Sequence, residues 1–182
     1  MIRHAPALNG GRLCGRTDVA ADLSDAAAVA ATARALGRPV RLVVSPALRC
    51  RQTAGALWPG LAAISDPRLW EQDFGRWDGR PLADLPDLGP LSRAELAAHR
   101  PPEGESFADL CARVAPAIAA IAAEGPATIV AHAGIVRAAL ALALGDGAAG
   151  LGFQVAPLSV TRLVALGGGH WSIGSVNWTA PA

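Results

Sequence analysis

Two short apolar runs rich in β-branched residues stand out from a chain otherwise dominated by alanine: Val40–Ser45 (VRLVVS) and Ala127–His132 (ATIVAH). Each is followed at once by an amphipathic stretch, Ala47–Leu57 and Gly134–Leu144. A short apolar strand leading into an amphipathic helix is the βα unit of a parallel sheet covered on both faces. Ser24–Gly37 predicts a further helix, with Ser24 as its N-cap and Gly37 as its terminator. Ser106–Gly125 predicts another, opened by a capping box of Ser106 and Asp109, with Pro116 expected to kink or break it. Near the C-terminus, LSVTRLVAL and HWSIGSVN flank Gly167–Gly169 and predict an antiparallel hairpin from about Val160 to Val176. The Pro-, Gly- and Asp-rich segment Trp70–Pro102 reads as a long excursion with one short helix near Ser92–His99, and excursions of that length are often functional. The expected fold is α/β: a three-layer α/β/α sandwich whose mainly parallel central sheet gains an antiparallel C-terminal strand, in a single domain over residues 1–182.

Composition narrows the function classes. The 182 residues suffice for one substantial core, and 52% hydrophobic against 17% charged residues argues for a folded chain. Lysine is absent, so all 16 formal cations are arginines, set against 15 acidic residues for a net charge of +1. No global field then favours nucleic acid or an anionic membrane, and any anion must be held by a local cluster. Cys14, Cys50 and Cys111 form no CxxC pair, which fits a reduced, cytoplasmic protein. The most apolar stretch, Ala138–Gly145, is far too short to span a bilayer, and no signal peptide is expected. Four scattered histidines do not make a metal site, so neither metal nor cofactor is expected.

Ligands of a parallel α/β sheet collect at the C-terminal ends of its strands. After Met1–Ile2 come Arg3 and His4. After Leu42–Val44 comes SPALRCRQTA, with Arg49 in the first turn of a helix. After Ile129–Ala131 comes His132, and Gly134 opens the next helix. Two histidines and two arginines would thus converge beside two helix N-termini, and paired guanidinium forks match the oxygens of a phosphoryl group.

These residues resemble the histidine phosphatase superfamily, also called phosphoglycerate mutase-like. RHAP stands at the family's Arg-His-Gly signature, SPALRCRQTA is similar to its Ser-Pro-Leu-x-Arg block, and LWEQDFGRWDG (Leu69–Gly79) resembles its Glu-bearing segment. PPEGESFADLCARV resembles its Pro-x-Gly-Glu-Ser helix start, and VAHAGIVRAAL its second histidine segment. GRLCGRTD (Gly11–Asp18) is similar to the α-ribazole phosphatase branch. Two departures stand out. Ala5 replaces a glycine, which fits if its φ is negative, and only Met1 and Ile2 precede Arg3 where a longer strand is expected.

The resemblance implies a phosphomonoesterase working through a phosphohistidine on a small soluble phosphate ester, α-ribazole phosphate among the candidates. It implies His4 as nucleophile, Arg3, Arg49 and His132 as holders of the phosphoryl oxygens, and Glu71 as proton donor and acceptor, with Asp73 as a nearby alternative. Arg16 is a candidate for substrate contact. The same residues would also suit a phosphoglycerate mutase-type transfer or a regulatory module that binds phosphate without turnover. No nucleic-acid or membrane partner is expected, and the oligomeric state is not readable.

Overall fold

The computed structural model describes residues 1–181. Its parallel strands are short: β1 (Ile2–Arg3), β2 (Leu42–Val44), β3 (Ile64–Ser65) and β4 (Thr128–Ala131), with a long hairpin of β5 (Val160–Gly167) and β6 (His170–Trp178). They form one six-stranded sheet in the order β3-β2-β4-β1-β5-β6. The first four are mutually parallel, β5 runs antiparallel to β1, and β6 antiparallel to β5. The hairpin therefore extends the sheet on one side, as its sequence implied.

Side chains alternate across the sheet and select its two helical layers. Ile2, Leu42, Val44 and Val130 pack in a core with helices α1 (Ala26–Leu36) and α2 (Leu48–Leu57). Val43, Ile129 and Ala131 face the other way, against α4 (Phe107–Ala123) and α5 (Ala133–Leu144), with Ala97 of the short α3 (Arg93–Ala98) joining that side. This is the three-layer α/β/α arrangement.

The ends of the helices follow local chemistry. Ser106 and Asp109 make the expected reciprocal capping box on α4, and Ser92 and Glu95 make another on α3. The N-cap of α1 is Asp25, one residue later than the expected Ser24. Its carboxylate accepts from Ala28 N–H at 2.9 Å, and a negative charge gains further from the positive helix end. Gly37 closes α1 with φ +65°, a conformation that costs glycine little. Helix α4 does not break at Pro116; it continues to Ala123, anchored on both sides of the proline by Val114 and Ala117, neither of which is exposed.

Strand β1 is as short as the sequence indicates, yet it is central. Ile2 is buried, Arg3 N–H donates to Ser159 C=O at 3.1 Å, and His4 N–H donates to Ala131 C=O at 2.9 Å. Ladder partners on both sides hold the two residues that deliver Arg3 and His4 to the C-terminal rim.

Leu140 lies on α5, fully buried beside Val136 and Val155 under the hairpin. Leu140→Ala removes that packing and is expected to destabilise the fold by about 2–5 kcal/mol. The expected urea transition moves to lower concentration with an unchanged slope.

Candidate active site

The rim at the C-terminal ends of β1, β2 and β4 gathers buried polar residues: His4 (5% exposed), Arg49 (1%) and His132 (none), with Ser45. His4 leaves β1 directly. Its Nδ1 lies 2.6 Å from Ala5 C=O; a carbonyl can only accept, so Nδ1 carries the proton and Nε2 keeps its lone pair. Ala5 lies outside the left-handed region, and its own N–H donates to Thr53 Oγ1 at 3.0 Å. Alanine thus fits where the resemblance called for glycine.

His132 is the residue just before α5. Its ring meets that of His4 edge-on, with centroids 5.2 Å apart, and stacks on Trp70 at 6.5 Å. Ser45, at the end of β2, places its hydroxyl 2.8 Å from His132 Nε2. Burial drives both imidazoles toward the neutral form, and the guanidinium charges of Arg49 and Arg3 add to that. The His4 pKa is lowered to about 3 even though the Ala5 hydrogen bond works the other way, and His132 lies well below the usual histidine range.

The two arginines carry no carboxylate partner: among the described residues, no ion pair includes Arg3 or Arg49. Arg49 instead donates to the backbone carbonyls of Gly15 (2.9 Å) and Thr17 (3.1 Å), and Arg3 to that of Val155 (2.6 Å). Both guanidinium groups act on the histidines.

Glu71 reaches the same place from the long excursion. Its carboxyl oxygens accept from Gln72 N–H (3.0 Å) and from Gly134 N–H (3.2 Å) in the first turn of α5. Burial raises its pKa, against the pull of those two hydrogen bonds and of Arg49 and Arg3. A Cβ at position 134 would stand 2.2 Å from Glu71 Oε1, so only glycine lets the carboxyl dock on this helix end.

Arg16 stands at the rim. Its guanidinium lies 5.7 Å from the Trp70 ring centre and 3.9 Å from Glu105, and it is partly exposed. Asp78 holds the Arg16 loop by accepting from the N–H groups of Gly15, Arg16 and Thr17. The loops around the site touch backbone to backbone. A Cβ on Gly15 would sit 2.0 Å from Gln72 O, one on Gly75 2.1 Å from Pro102 O, and one on Gly104 2.5 Å from Asp73 O.

All six residues singled out in the sequence thus face one region, with Arg16 at its edge. Asp73, the alternative acid, is turned to its own loop and accepts from Gly75 N–H at 2.8 Å. Sequence reasoning passed over Asp78, the hydroxyl of Ser45 and the pair Glu105–Arg113. Glu105 reads as a residue drawn to a helix start by the dipole, but its carboxylate binds Arg113 and Asp73 N–H. Cys50 is a buried packing residue beside His132, its thiol pushed up by burial. Among the described residues, no three His, Cys, Asp or Glu side chains are grouped to hold a metal ion. No helix among them is long and apolar enough to cross a membrane.

Comparison with known proteins agrees with this geometry. Residues 1–179 match the histidine phosphatase superfamily (branch 1), and the chain belongs to that family. It is 33% identical over 195 aligned positions to the glucosyl-3-phosphoglycerate phosphatase of Mycobacterium tuberculosis, covering 91% of this chain and 82% of that protein. The solved mycobacterial glucosyl-3-phosphoglycerate phosphatase superposes with a TM-score of 0.83 at 27% identity, over 97% of this chain and 96% of that one. A putative α-ribazole-5′-phosphate phosphatase from Escherichia coli K-12 shares the fold, with a TM-score of 0.82 at 19% identity over 100% and 96% of the two chains. The protein is a phosphatase of the histidine phosphatase superfamily.

Two outcomes follow from this geometry. The His4 imidazole is expected to stay neutral from pH 8 down to pH 5 in side-chain 15N NMR, and a midpoint near the free value of about 6.5 contradicts the burial argument. Its folded pKa lies below its unfolded one, so the unfolded chain binds more protons between about pH 6.5 and 3. The contribution of His4 to stability is accordingly lost as pH falls through that window. Gly134→Ala drives a methyl group into the space of the Glu71 carboxyl. Its expected effect is a loss of kcat of about 10-fold or more on alkyl phosphates, with a far smaller change in melting temperature, because the displaced atom ends a flexible side chain.

Proposed function

We propose that this chain hydrolyses a small phosphomonoester through a phosphohistidine on His4, without a metal ion, as a single cytoplasmic domain spanning residues 1–182. The observation that carries this reading is the contact of two neutral imidazoles beside two arginines that have no carboxylate of their own.

The chemistry proceeds in two displacements. His4 Nε2 attacks phosphorus while the bond to the leaving oxygen breaks, and the protonated Glu71 gives its proton to that oxygen. The Nδ1 proton stays on the hydrogen bond to Ala5 C=O, which stabilises the charge the ring acquires. Glu71, now a carboxylate, takes a proton from water as its oxygen attacks phosphorus. The P–N bond breaks, releasing inorganic phosphate and restoring neutral His4 and protonated Glu71. Arg3, Arg49 and His132 hold the phosphoryl oxygens while charge shifts across them. The arginines supply the positive charge that a metal would otherwise provide.

Arg16 over Trp70 is a mixed cationic and aromatic wall suited to the rest of the ester. The similarity to the mycobacterial enzymes makes glucosyl-3-phosphoglycerate the first substrate to assay, with α-ribazole phosphate second. The mycobacterial phosphatase has been solved with VO3 and with inorganic phosphate, species of the geometry this site would recognise. Phosphate release is expected to survive EDTA and to be blocked by vanadate.

The roles of His4 and Glu71 separate by leaving group. His4→Ala is expected to lose the phosphoenzyme and nearly all turnover. Glu71→Gln is expected to lose about 10²–10⁴-fold on alkyl esters, where the leaving oxygen needs a proton. With p-nitrophenyl phosphate the first step needs little acid, so phosphoenzyme accumulates and a burst of nitrophenol appears. Equal losses on both esters, with no burst, would remove Glu71 from the mechanism.

A further inference from the structure

The acid-bearing segment Trp70–Asp73 lies between two 3-10 turns and makes no helix or strand of its own. Irregular backbone must find its hydrogen bonds elsewhere. Here they come from one ion pair on the neighbouring helix start. Arg113, in α4, donates through Nη1 to the carbonyls of Arg68 (2.6 Å) and Trp70 (3.0 Å) and through Nη2 to that of Glu71 (3.4 Å). Its Nε and Nη2 also bind Glu105 Oε1 and Oε2, each at 2.8 Å. Glu105 in turn accepts Asp73 N–H on Oε2 (3.0 Å), accepts Gln72 Nε2 on its carbonyl (2.7 Å), and donates its N–H to Asp73 C=O (2.7 Å). Every residue from Trp70 to Asp73 is tied to this pair.

We propose that Arg113 and Glu105 are positioning residues for the Glu71 carboxyl, fixing by their hydrogen bonds to the backbone of 70–73 where the proton of the reaction is delivered. The inference rests on Glu71 acting as proton donor. Among the described residues the carboxyl has two hydrogen-bond donors, Gln72 N–H and Gly134 N–H, so its location depends on the backbone beneath it. A displacement of about 1 Å suffices to cost 10²-fold in a proton transfer that needs hydrogen-bond reach. Glu105 also lies 3.9 Å from Arg16, so the pair joins the acid segment to the rim.

The test compares Arg113→Met, Arg113→Lys and Glu105→Gln with the unsubstituted enzyme on an alkyl phosphate and on p-nitrophenyl phosphate. Steady-state rates are read together with the pre-steady-state burst and the melting temperature. Arg113→Met is expected to lose about 30- to 100-fold on the alkyl ester, and at most a tenth of that loss in the phosphorylation step with the nitrophenyl ester. Arg113→Lys, which keeps the charge and part of the hydrogen bonding, is expected to recover part of the alkyl-ester rate. Equal losses on the two esters, or no loss on either, overturn the proposal, because a support for folding alone does not distinguish leaving groups. Glu105→Gln keeps the side-chain volume and is judged on the same ratio, which decides the matter if Arg113→Met does not fold. Glu71→Gln is run alongside. If it shows no leaving-group dependence, the assignment of Glu71 as acid fails. If it shows that dependence while the Arg113 and Glu105 variants do not, the positioning proposal alone fails.

Discussion

The arrangement depends on a cation buried without an anion. Arg49 has almost no exposed surface, and among the described residues its guanidinium hydrogen-bonds to the carbonyls of Gly15 and Thr17 and to no carboxylate. A desolvated guanidinium in such a place is costly unless something negative completes it. Burial holds the two neighbouring imidazoles toward the neutral form, and Arg49 and Arg3 add to that, which leaves His4 Nε2 with a lone pair. The same charges act on Glu71 in the opposite sense, favouring its ionised form, while burial raises its pKa against them. In the proposed mechanism, a phosphate dianion settling on the arginines would cancel that pull. Binding would thus ready the acid as well as hold the ester.

The sheet explains why these groups can coexist in so small a space. Three parallel strands of two to four residues end at one level, and each hands over a polar side chain at the point where its chain turns away: His4, Ser45 and His132. Two of those turns run into helices; at the start of α5 Gly134 donates its N–H to Glu71, and at the start of α2 Leu48 donates its N–H to Asp18. The fourth side is closed by the excursion from Trp70, whose indole stacks on His132. The site is thus framed by strand ends on one side and by a loop hydrogen-bonded to Arg113 on the other.

Much of this was legible in the residues because its signals are local. The apolar runs at Leu42–Val44 and Thr128–Ala131, the capping residue Ser106, and the polar groups directly after each strand all lie within a few positions of what they do. What escaped reading acts at a distance. Asp78 holds a loop more than sixty residues earlier in the chain, and Arg113 reaches carbonyls more than forty residues away. No spacing rule connects such positions. Strand β3 also passed unread: Ile64–Ser65 is only two residues long and exposed, so it shows neither a run nor an alternation. At α1, Ser24 and Asp25 both carry capping chemistry, and the competition between adjacent residues was decided by which side chain reached Ala28.

The glycine seam at positions 15, 75 and 104 bears on how enzymes of this shape can diverge. Three loops from distant parts of the chain meet largely through peptide groups, with the Phe74 ring also against Gly15. A side chain added at any of the three positions presses on a neighbouring carbonyl. A loop transplanted alone from a relative without these glycines brings a methyl group into a neighbouring carbonyl, whereas an outward-facing side chain such as Arg16 can be exchanged without disturbing the joint. The three loops are in that sense a single heritable part, although the chain encodes them in separate pieces.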